Sequence, residues 1–230
     1  MKPFFITILL CVYAYLNAQD FSSSLQGPSV GGFVVADFNQ DTFPDLIYPQ
    51  RISFQGNKRI VIRQNTGNDT LAFTNLEFVI NNEVFGTPAA ADFDNDGDLD
   101  IIFSSLAEAS LIYLQQNPEN TLDETELTVD GAVALYAANL NGDEFPDIVG
   151  YDVADQTIVT YTNTDGTSFT RSVVYDTGLS IDDFQVTDLD QDGLTDILVG
   201  TNTFNGPALT LLTNDGTGSY SSTDLEATSD

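Results

Sequence analysis

The chain repeats a nine-residue segment rich in aspartate four times. The segments begin at residues 37, 92, 139 and 188, so that successive starts lie 55, 47 and 49 residues apart. Self-similarity at a period near 50 residues is typical of folds that stack one small unit on the next. No other feature of the 230-residue chain constrains its fold as strongly.

Each segment lies between short apolar stretches that have the length of β-strands. One stretch precedes the segment, as in residues 181–187, and a second follows it, as in residues 197–199. An alternating apolar stretch comes next, followed by a turn rich in Asn, Asp and Gly, whose residues tolerate the positive φ of tight hairpins. The last stretch of a repeat contains Phe73, Phe169 or Tyr220.

Four strands in about 50 residues are the content of one propeller blade. The sequence therefore predicts an all-β fold of four four-stranded antiparallel β-propeller blades, closed or open. Because a blade cannot bury both of its faces alone, neighbouring blades are expected to stack. The blades are predicted at approximately residues 31–80, 85–130, 131–176 and 180–226.

The N-terminal residues have the pattern of a secretory signal. Lys2 precedes an apolar run that ends near Ala18, which predicts a signal peptide over 1–18, a linker over 19–30 and the propeller segment over 31–230. The protein is then secreted or at the cell surface. The single cysteine, Cys11, lies inside the signal, so the mature chain has neither a disulfide nor a thiol nucleophile.

The charge of the chain points to cations as partners. There are 35 acidic residues against 6 basic ones, a net charge of −29, which disfavours binding to nucleic acid and to anionic membranes. No apolar run has the length of a membrane span. Four basic residues cluster in one stretch, where they form either a solvated strand face or an anion-binding patch: Arg51, Lys58, Arg59 and Arg63.

The nine-residue segments, here called loops 1 to 4, place oxygen atoms at the spacing of a metal site. Side chains at positions 1, 3 and 5 can converge, the carbonyl of position 7 adds an oxygen, and the carboxylate at position 9 completes a set that suits Ca²⁺ better than Mg²⁺. The predicted ligands of up to four calcium ions are Asp37, Asn39, Asp41, Phe43 and Asp45 in loop 1, Asp92, Asp94, Asp96, Asp98 and Asp100 in loop 2, Asn139, Asn141, Asp143, Phe145 and Asp147 in loop 3, and Asp188, Asp190, Asp192, Leu194 and Asp196 in loop 4.

The four loops are not equivalent. Positions 1, 3, 5 and 9 contain three carboxylates in loop 1, four in loop 2, two in loop 3 and four in loop 4, so loops 2 and 4 should bind most tightly. Gly97 and Gly193 permit a sharp turn at position 6, where Thr42 and Glu144 should be strained. The alternative is that the loops are solvated Asx turns without an ion.

The spacing excludes an EF-hand. That motif needs a glutamate at position 12, where this chain has apolar strand residues or glycine: Tyr48, Phe103, Gly150 and Val199.

The stretch Phe85-Gly-Thr-Pro-Ala-Ala-Ala-Asp-Phe-Asp-Asn-Asp-Gly97, together with Phe-Pro-Asp at 43–45 and 145–147, resembles the FG-GAP/VCBS repeat family, which includes the integrin α-subunit propeller. The resemblance covers roughly residues 30 to 225. It implies that each loop joins the inner two strands of a blade and binds Ca²⁺ on one face of the disc. Family members commonly have seven blades. We therefore expect either a four-bladed disc or a chain that continues past residue 230, and an open series of blades should self-associate or bind its missing half.

Two classes of function agree with this pattern. The first is adhesion or recognition, in which calcium rigidifies loops that support binding of an extracellular glycan or protein. The second is part of a polysaccharide lyase or glycosidase, although the absence of His leaves only a carboxylate pair for catalysis and no catalytic residue can be assigned. Three tyrosines are either sugar platforms or half-buried strand residues: Tyr136, Tyr151 and Tyr161.

Overall fold

The computed structural model describes residues 32–52, 56–67, 72–105, 110–119, 121–176, 178–201 and 209–225. The predicted signal peptide and linker lie outside these residues. Sixteen strands in the described part form four sheets of four strands each.

Each sheet is one of the predicted blades. Blade 1 contains β1 (Val34–Ala36), β2 (Asp45–Ile52), β3 (Gly56–Asn65) and β4 (Phe73–Val79). Blade 2 contains β5 (Val84–Ala91), β6 (Asp100–Ser105), β7 (Leu111–Gln116) and β8 (Leu122–Leu127). Blade 3 contains β9 (Val133–Ala138), β10 (Asp147–Asp152), β11 (Thr157–Asn163) and β12 (Phe169–Asp176). Blade 4 contains β13 (Ile181–Thr187), β14 (Asp196–Thr201), β15 (Leu209–Asn214) and β16 (Tyr220–Asp224).

The strands of each blade pair in chain order as an antiparallel meander. Loops 1 to 4 connect the first strand of a blade to the second, and the aspartate at position 9 is the first residue of that second strand, as in the pair Ala36 and Asp45. The predicted all-β fold of four-stranded antiparallel blades is thus confirmed. The described ranges contain no helix, and hence none long and apolar enough to cross a membrane.

Burial along the strands explains why the blades stack. The second strands of blades 2 and 3 are buried at every position, whereas the fourth strand of blade 1 alternates between partly buried and exposed residues. A central strand buried on both sides needs an apolar layer on each face of its sheet. Position 12 of the nine-residue pattern lies within these second strands, which agrees with the exclusion of an EF-hand.

The hydrophobic core is divided into three clusters, each between two consecutive blades. Ile47 and Ile60 of blade 1 pack against Ile101 and Phe103 of blade 2, and the next two junctions are built in the same way. Burying one such side chain contributes about 1.5–3 kcal/mol. Among the described residues no cluster joins blade 4 to blade 1, so these sheets form an open series instead of a closed ring.

Candidate metal centres

Backbone turns at positions 4 and 6 shape three of the four loops. In loop 2 both Asn95 and Gly97 have positive φ, of 60° and 98°, and loops 1 and 4 have positive φ at the same positions. Thr42 has a φ of 76°, so the predicted strain at position 6 of loop 1 is present, since a β-branched residue disfavours this region. In loop 3 positive φ occurs at Gly142, which is position 4. Glu144, at position 6, is not among the described residues with positive φ, so the prediction of strain at Glu144 was wrong.

The aspartate at position 1 stabilises this turn. The Oδ2 atom of Asp92 accepts the backbone N–H of Gly97 at 3.0 Å, and loops 1 and 4 repeat the bond between positions 6 and 1. In loop 3 the first residue is an asparagine, and Asn139 Oδ1 accepts instead from Gly142 N–H at 2.7 Å. Loop 3 is therefore folded differently because its turn closes two residues earlier.

The side chain at position 5 binds the backbone of position 7 in all four loops. The N–H groups of the position-7 residues donate over 2.8–2.9 Å to the position-5 carboxylates, in the pairs Phe43 and Asp41, Asp98 and Asp96, Phe145 and Asp143, and Leu194 and Asp192. These bonds are the Asx-type contacts of a tight turn. The role of the position-7 carbonyls as ligands stays a prediction.

The aspartate at position 9 has a structural function that the sequence did not reveal. Asp100 is fully buried and accepts three hydrogen bonds, from Phe93 N–H (3.1 Å), Gln116 N–H (2.8 Å) and the Tyr113 hydroxyl (2.7 Å). The first bond ties Asp100 to loop 2 and the second joins β6 to β7, and Asp45, Asp147 and Asp196 make the corresponding pair.

Burial makes the charge on three of these carboxylates unfavourable, namely those of Asp45, Asp100 and Asp147. Loss of hydration raises the pKa of Asp100 to about 6, although hydrogen bonds from Tyr113 and Gln116 act in the opposite direction. Burial also raises the pKa of Asp45 and that of Asp147. A nearby cation would relieve this cost.

The carboxylates converge in loops 2 and 4. One oxygen from each of Asp92, Asp94 and Asp100 lies within 4.8 Å of the others, and an equivalent group is formed by Asp188, Asp190 and Asp196. These are positions 1, 3 and 9 of the two loops that have the most carboxylates. The predicted ligands at position 5, Asp96 and Asp192, are not members of the convergent groups.

In loops 1 and 3 amide groups occupy the place of carboxylates. The Asn39 amide donates to Asp41 Oδ2 at 3.0 Å, and the Asn141 amide donates to Asp143 Oδ2 at 2.7 Å. The Asn139 amide donates to the backbone oxygen of Asp143. Among the described residues no group of three converging carboxylates forms in loops 1 and 3, so these two loops require a cation less than loops 2 and 4 do.

A second set of residues links loops 2 and 3 to the blade that follows each of them. The side-chain amide of Asn163, the last residue of β11, donates to the Phe93 carbonyl at position 2 of loop 2 (2.8 Å) and to the Pro146 carbonyl (3.1 Å). Its own backbone N–H donates to Asp147 at position 9 of loop 3 (2.8 Å). Asn163 thus connects the loops of two blades.

The same arrangement recurs one blade further. The Asn214 amide donates to the Leu140 carbonyl at 2.9 Å, and the Asn214 N–H donates to Asp196 at 3.0 Å. Through Leu140 N–H, which donates to Asp147, hydrogen bonds connect the position-9 aspartates of consecutive blades.

Sequence reasoning assigned these asparagines to turns. The positive φ of the two hairpins belongs to Gly166 and Gly216, and neither Asn163 nor Asn214 is among the described residues with positive φ. A usable signal was present, because Asn65, Asn163 and Asn214 each end a third strand two or three residues before a glycine, and Gln116 ends the third strand of blade 2.

The predicted tyrosines belong to the core. Tyr161 is fully buried and its hydroxyl donates to the Asp130 carbonyl at 2.7 Å, and Tyr151 is also buried. Tyr136 packs edge-on against Phe184 with ring centroids 5.1 Å apart. All three are strand residues at blade junctions. This agrees with the second of the two interpretations given above, that they are strand residues and not platforms that bind sugars.

The described residues of the basic cluster lie on blade 1. Arg59 pairs with Glu77 at 2.8 Å, Arg63 donates to the Tyr48 hydroxyl at 3.1 Å, and Lys58 donates to the Asn81 carbonyl at 2.8 Å. The side chain of Arg51 lies outside the described residues.

Comparison with known structures agrees with the propeller architecture. A structure reported for specific recognition of non-reducing terminal N-acetylglucosamine by an Agrocybe aegerita lectin is similar over 84% of this chain, with a TM-score of 0.59 and 17% sequence identity. The similarity covers 52% of the lectin chain, so this chain spans about half of its length. At this identity the likeness concerns the fold alone.

Comparison with protein families agrees with the repeat. Residues 37–103, which contain loops 1 and 2, match the family described as the FG-GAP-like repeat. The resemblance inferred from the loop residues is confirmed over this stretch. No curated protein sequence matches the chain.

Proposed function

We propose that this chain is a calcium-binding propeller module of a secreted or cell-surface protein, and that its calcium-stabilised loops support recognition of a glycan. The observation that supports calcium most directly is the convergence of three carboxylates within 4.8 Å in loop 2 and again in loop 4. Three negative charges so close together repel strongly unless a cation or protons neutralise them.

The donor set favours calcium over other metals. All of the side chains in the two convergent groups are carboxylates, and the protein contains no histidine, so the site offers hard oxygen ligands only. Loops with several flexible carboxylates and backbone oxygens suit the coordination number of Ca²⁺, whereas Mg²⁺ keeps more of its water.

A bound calcium ion would supply positive charge and fix the directions of its oxygen ligands. Asp92 and Asp94 would hold it from the loop, and Asp100 would hold it from the start of β6. Because Asp100 also accepts the Gln116 N–H, the ion would restrain the loop against β6 and β7. Binding of the ion by Asp92, Asp94 and Asp100 would therefore make one edge of the blade more rigid.

Glycan recognition is supported by the propeller fold and by the lectin that shares it. Rigid loops on one edge of a propeller are a frequent location for ligand binding, because the sheets position them firmly. An extracellular protein ligand is the alternative partner, and a glycan array with protein-ligand controls distinguishes the two.

The proposal is tested by titrating purified, metal-free protein with calcium in a calorimeter and then probing a glycan array with and without EDTA. We expect two stronger binding events from loops 2 and 4, and glycan binding that EDTA abolishes. Magnesium at equal concentration serves as the control. No heat of calcium binding, together with an unchanged melting temperature in EDTA, would contradict the calcium site. Calcium binding without any glycan signal would contradict the glycan part alone.

A further inference from the structure

The three blade junctions are built from the same parts. At each junction the side chain at position 2 of the loop is covered by the next blade, so that Phe38, Phe93 and Leu140 are at most 2% exposed. At the last two junctions the carbonyl of that residue accepts the amide of an asparagine from the next blade. The last two junctions therefore combine an apolar residue and an accepting carbonyl on one blade with an asparagine on the next.

Blade 4 exposes the first half of such a junction. Leu189, at position 2 of loop 4, is 45% exposed, and no described residue donates to its carbonyl. Leu198 and Leu211 are paired across β14 and β15, and Leu209 lies two residues from Leu211, so all three share one face of the sheet. The opposite face packs on blade 3 through buried residues such as Leu212. We call Leu189, Leu198, Leu209 and Leu211 the leucine face.

Blade 1 exposes the second half. Asn65 ends β3, its N–H donates to Asp45 at 2.7 Å and its Oδ1 accepts from Gly67 at 3.1 Å, which is the arrangement of Asn214 in blade 4. Among the described residues nothing accepts a hydrogen bond from its side-chain amide. Arg63 lies two residues earlier on the same face of the sheet.

We propose that the leucine face of one copy of this chain binds the outer face of blade 1 of a second copy, with the Asn65 amide donating to the Leu189 carbonyl. The contact repeats between two chains the junction that each chain forms internally at its last two blade junctions. Arg63 and Tyr48 have long amphipathic side chains that can cover leucines while their polar ends stay in water.

Charge favours this head-to-tail arrangement over packing of two leucine faces. The outer face of blade 1 contains Arg63 and Arg59, the latter paired with Glu77, whereas residues 181–225 contain no lysine or arginine and many aspartates. Head-to-tail contact brings opposite charges together. Contact between two copies of blade 4 would oppose like charges and leave the Asn65 amide unused.

The test is the oligomeric state, measured by light scattering during gel filtration at about 50 µM, above the micromolar dissociation constants of modest interfaces. We expect a species of twice the mass of one chain. Leu211→Glu and Asn65→Asp should each weaken association by at least about tenfold. Asn65→Asp retains the Oδ1 acceptor for Gly67 and removes the donor, so the blade itself should stay folded.

The controls are matched in chemistry. Val153→Glu replaces another exposed apolar residue and Asn117→Asp replaces an asparagine of an exposed turn, and both should leave association unchanged. A mixture of the Leu211→Glu and Asn65→Asp chains retains one intact junction and should form a mixed dimer. A monomer at all concentrations, or a dimer that is insensitive to Asn65→Asp, would overturn the proposal. A longer head-to-tail polymer with the same sensitivity would support the contact.

Discussion

The side-chain amide of Asn163 donates to the Phe93 carbonyl over 2.8 Å and so joins residues 70 positions apart in the chain. Asn163 is fully buried, and Phe93 lies at position 2 of the loop that gathers Asp92, Asp94 and Asp100. The loop of one blade is therefore fixed in place by a side chain of the next.

We predict that Asn163→Ala lowers the free energy of unfolding by about 2–4 kcal/mol, because it leaves buried carbonyl groups without donors. The Asn163 side chain also accepts the Gly166 N–H at 2.9 Å, so three hydrogen bonds are lost. Urea unfolding measures the effect. Asn117→Ala, in an exposed turn, is the control and should cost about 1 kcal/mol or less. Equal losses in the two variants would contradict the structural function of Asn163.

Two glycines with positive φ should differ strongly in their tolerance of alanine. A Cβ atom at Gly166 would lie 2.6 Å from the Cα of Asp94 in the neighbouring blade, whereas a Cβ at Gly178 would meet nothing within 4 Å. Both substitutions incur the cost of about 1–2 kcal/mol for a left-handed conformation.

Gly166→Ala alone should also displace loop 2. We expect it to lower the melting temperature more than Gly178→Ala and to weaken calcium binding, whereas Gly178→Ala should leave calcium affinity unchanged. Thermal melts and calcium titrations of the two variants measure this difference. Similar behaviour of both variants would show that the contact with Asp94 is unimportant.

Substitutions of loop aspartates should distinguish loops 2 and 4 from loop 3. Asp94→Asn and Asp190→Asn each remove one of three converging carboxylates, so each should abolish or weaken at least about tenfold one strong calcium site. Asp143→Asn, at position 5 of loop 3, is the control, because Asp143 belongs to no group of three converging carboxylates among the described residues. Calorimetry at equal protein concentration gives the number of sites. If Asp143→Asn removed a strong site and Asp94→Asn did not, the assignment of the strong sites would be wrong.

The stability of the metal-free protein should rise as the pH falls from 7 to 5. Burial raises the pKa of Asp100 to about 6, above the value of about 3.9 for an unfolded chain. The folded state then binds more protons than the unfolded state between these values, so the stabilisation is complete below about pH 4 and is lost as the pH rises through 6. The pKa values of Asp45 and Asp147 are raised in the same direction.

Melting temperatures in EDTA at pH 5, 6 and 7 measure this dependence. Lower pH also reduces the net negative charge of the whole chain, which can itself raise the melting temperature. The effect of Asp100 is therefore measured by comparing variants with the unchanged protein. Asp100→Asn should reduce the rise in melting temperature, and Asp123→Asn at an exposed strand position should not. With calcium present the rise should disappear or reverse, because the ion binds the ionised carboxylates.

The sequence predicted the sheets well because their determinants are local. The alternation of apolar residues and the turn residues after each strand are visible within a few positions, whereas the predicted ranking of calcium affinity stays a prediction. Asp92, Asp94 and Asp100 lie within nine residues of one another, so their proximity could be inferred from loop length alone.

The functions of Asn163 and Asn214 could not be inferred in the same way. Each side chain acts across a blade junction, on a carbonyl about 70 residues earlier, and nothing in the local pattern separates an asparagine that bends a turn from one that reaches a neighbouring blade. The hydrogen bonds of Asp100 could not be inferred either. Its position in the loop predicted a metal ligand, and nothing in the sequence indicated that it also accepts N–H groups from loop 2 and from β7.

Because Asn163 belongs to blade 3 and Phe93 to blade 2, the smallest exchangeable segment of this protein does not coincide with a blade. A chimaera cut between blades would separate a loop from the asparagine that supports it. The segment from Asp92 to Gly166 begins inside blade 2 and ends inside blade 3, so it includes loop 2 together with the hairpin that supports it. Grafting this segment should preserve the structure of the loop, whereas grafting a single blade should not. Duplication of such repeats would conserve contacts best when its breakpoints fall inside blades.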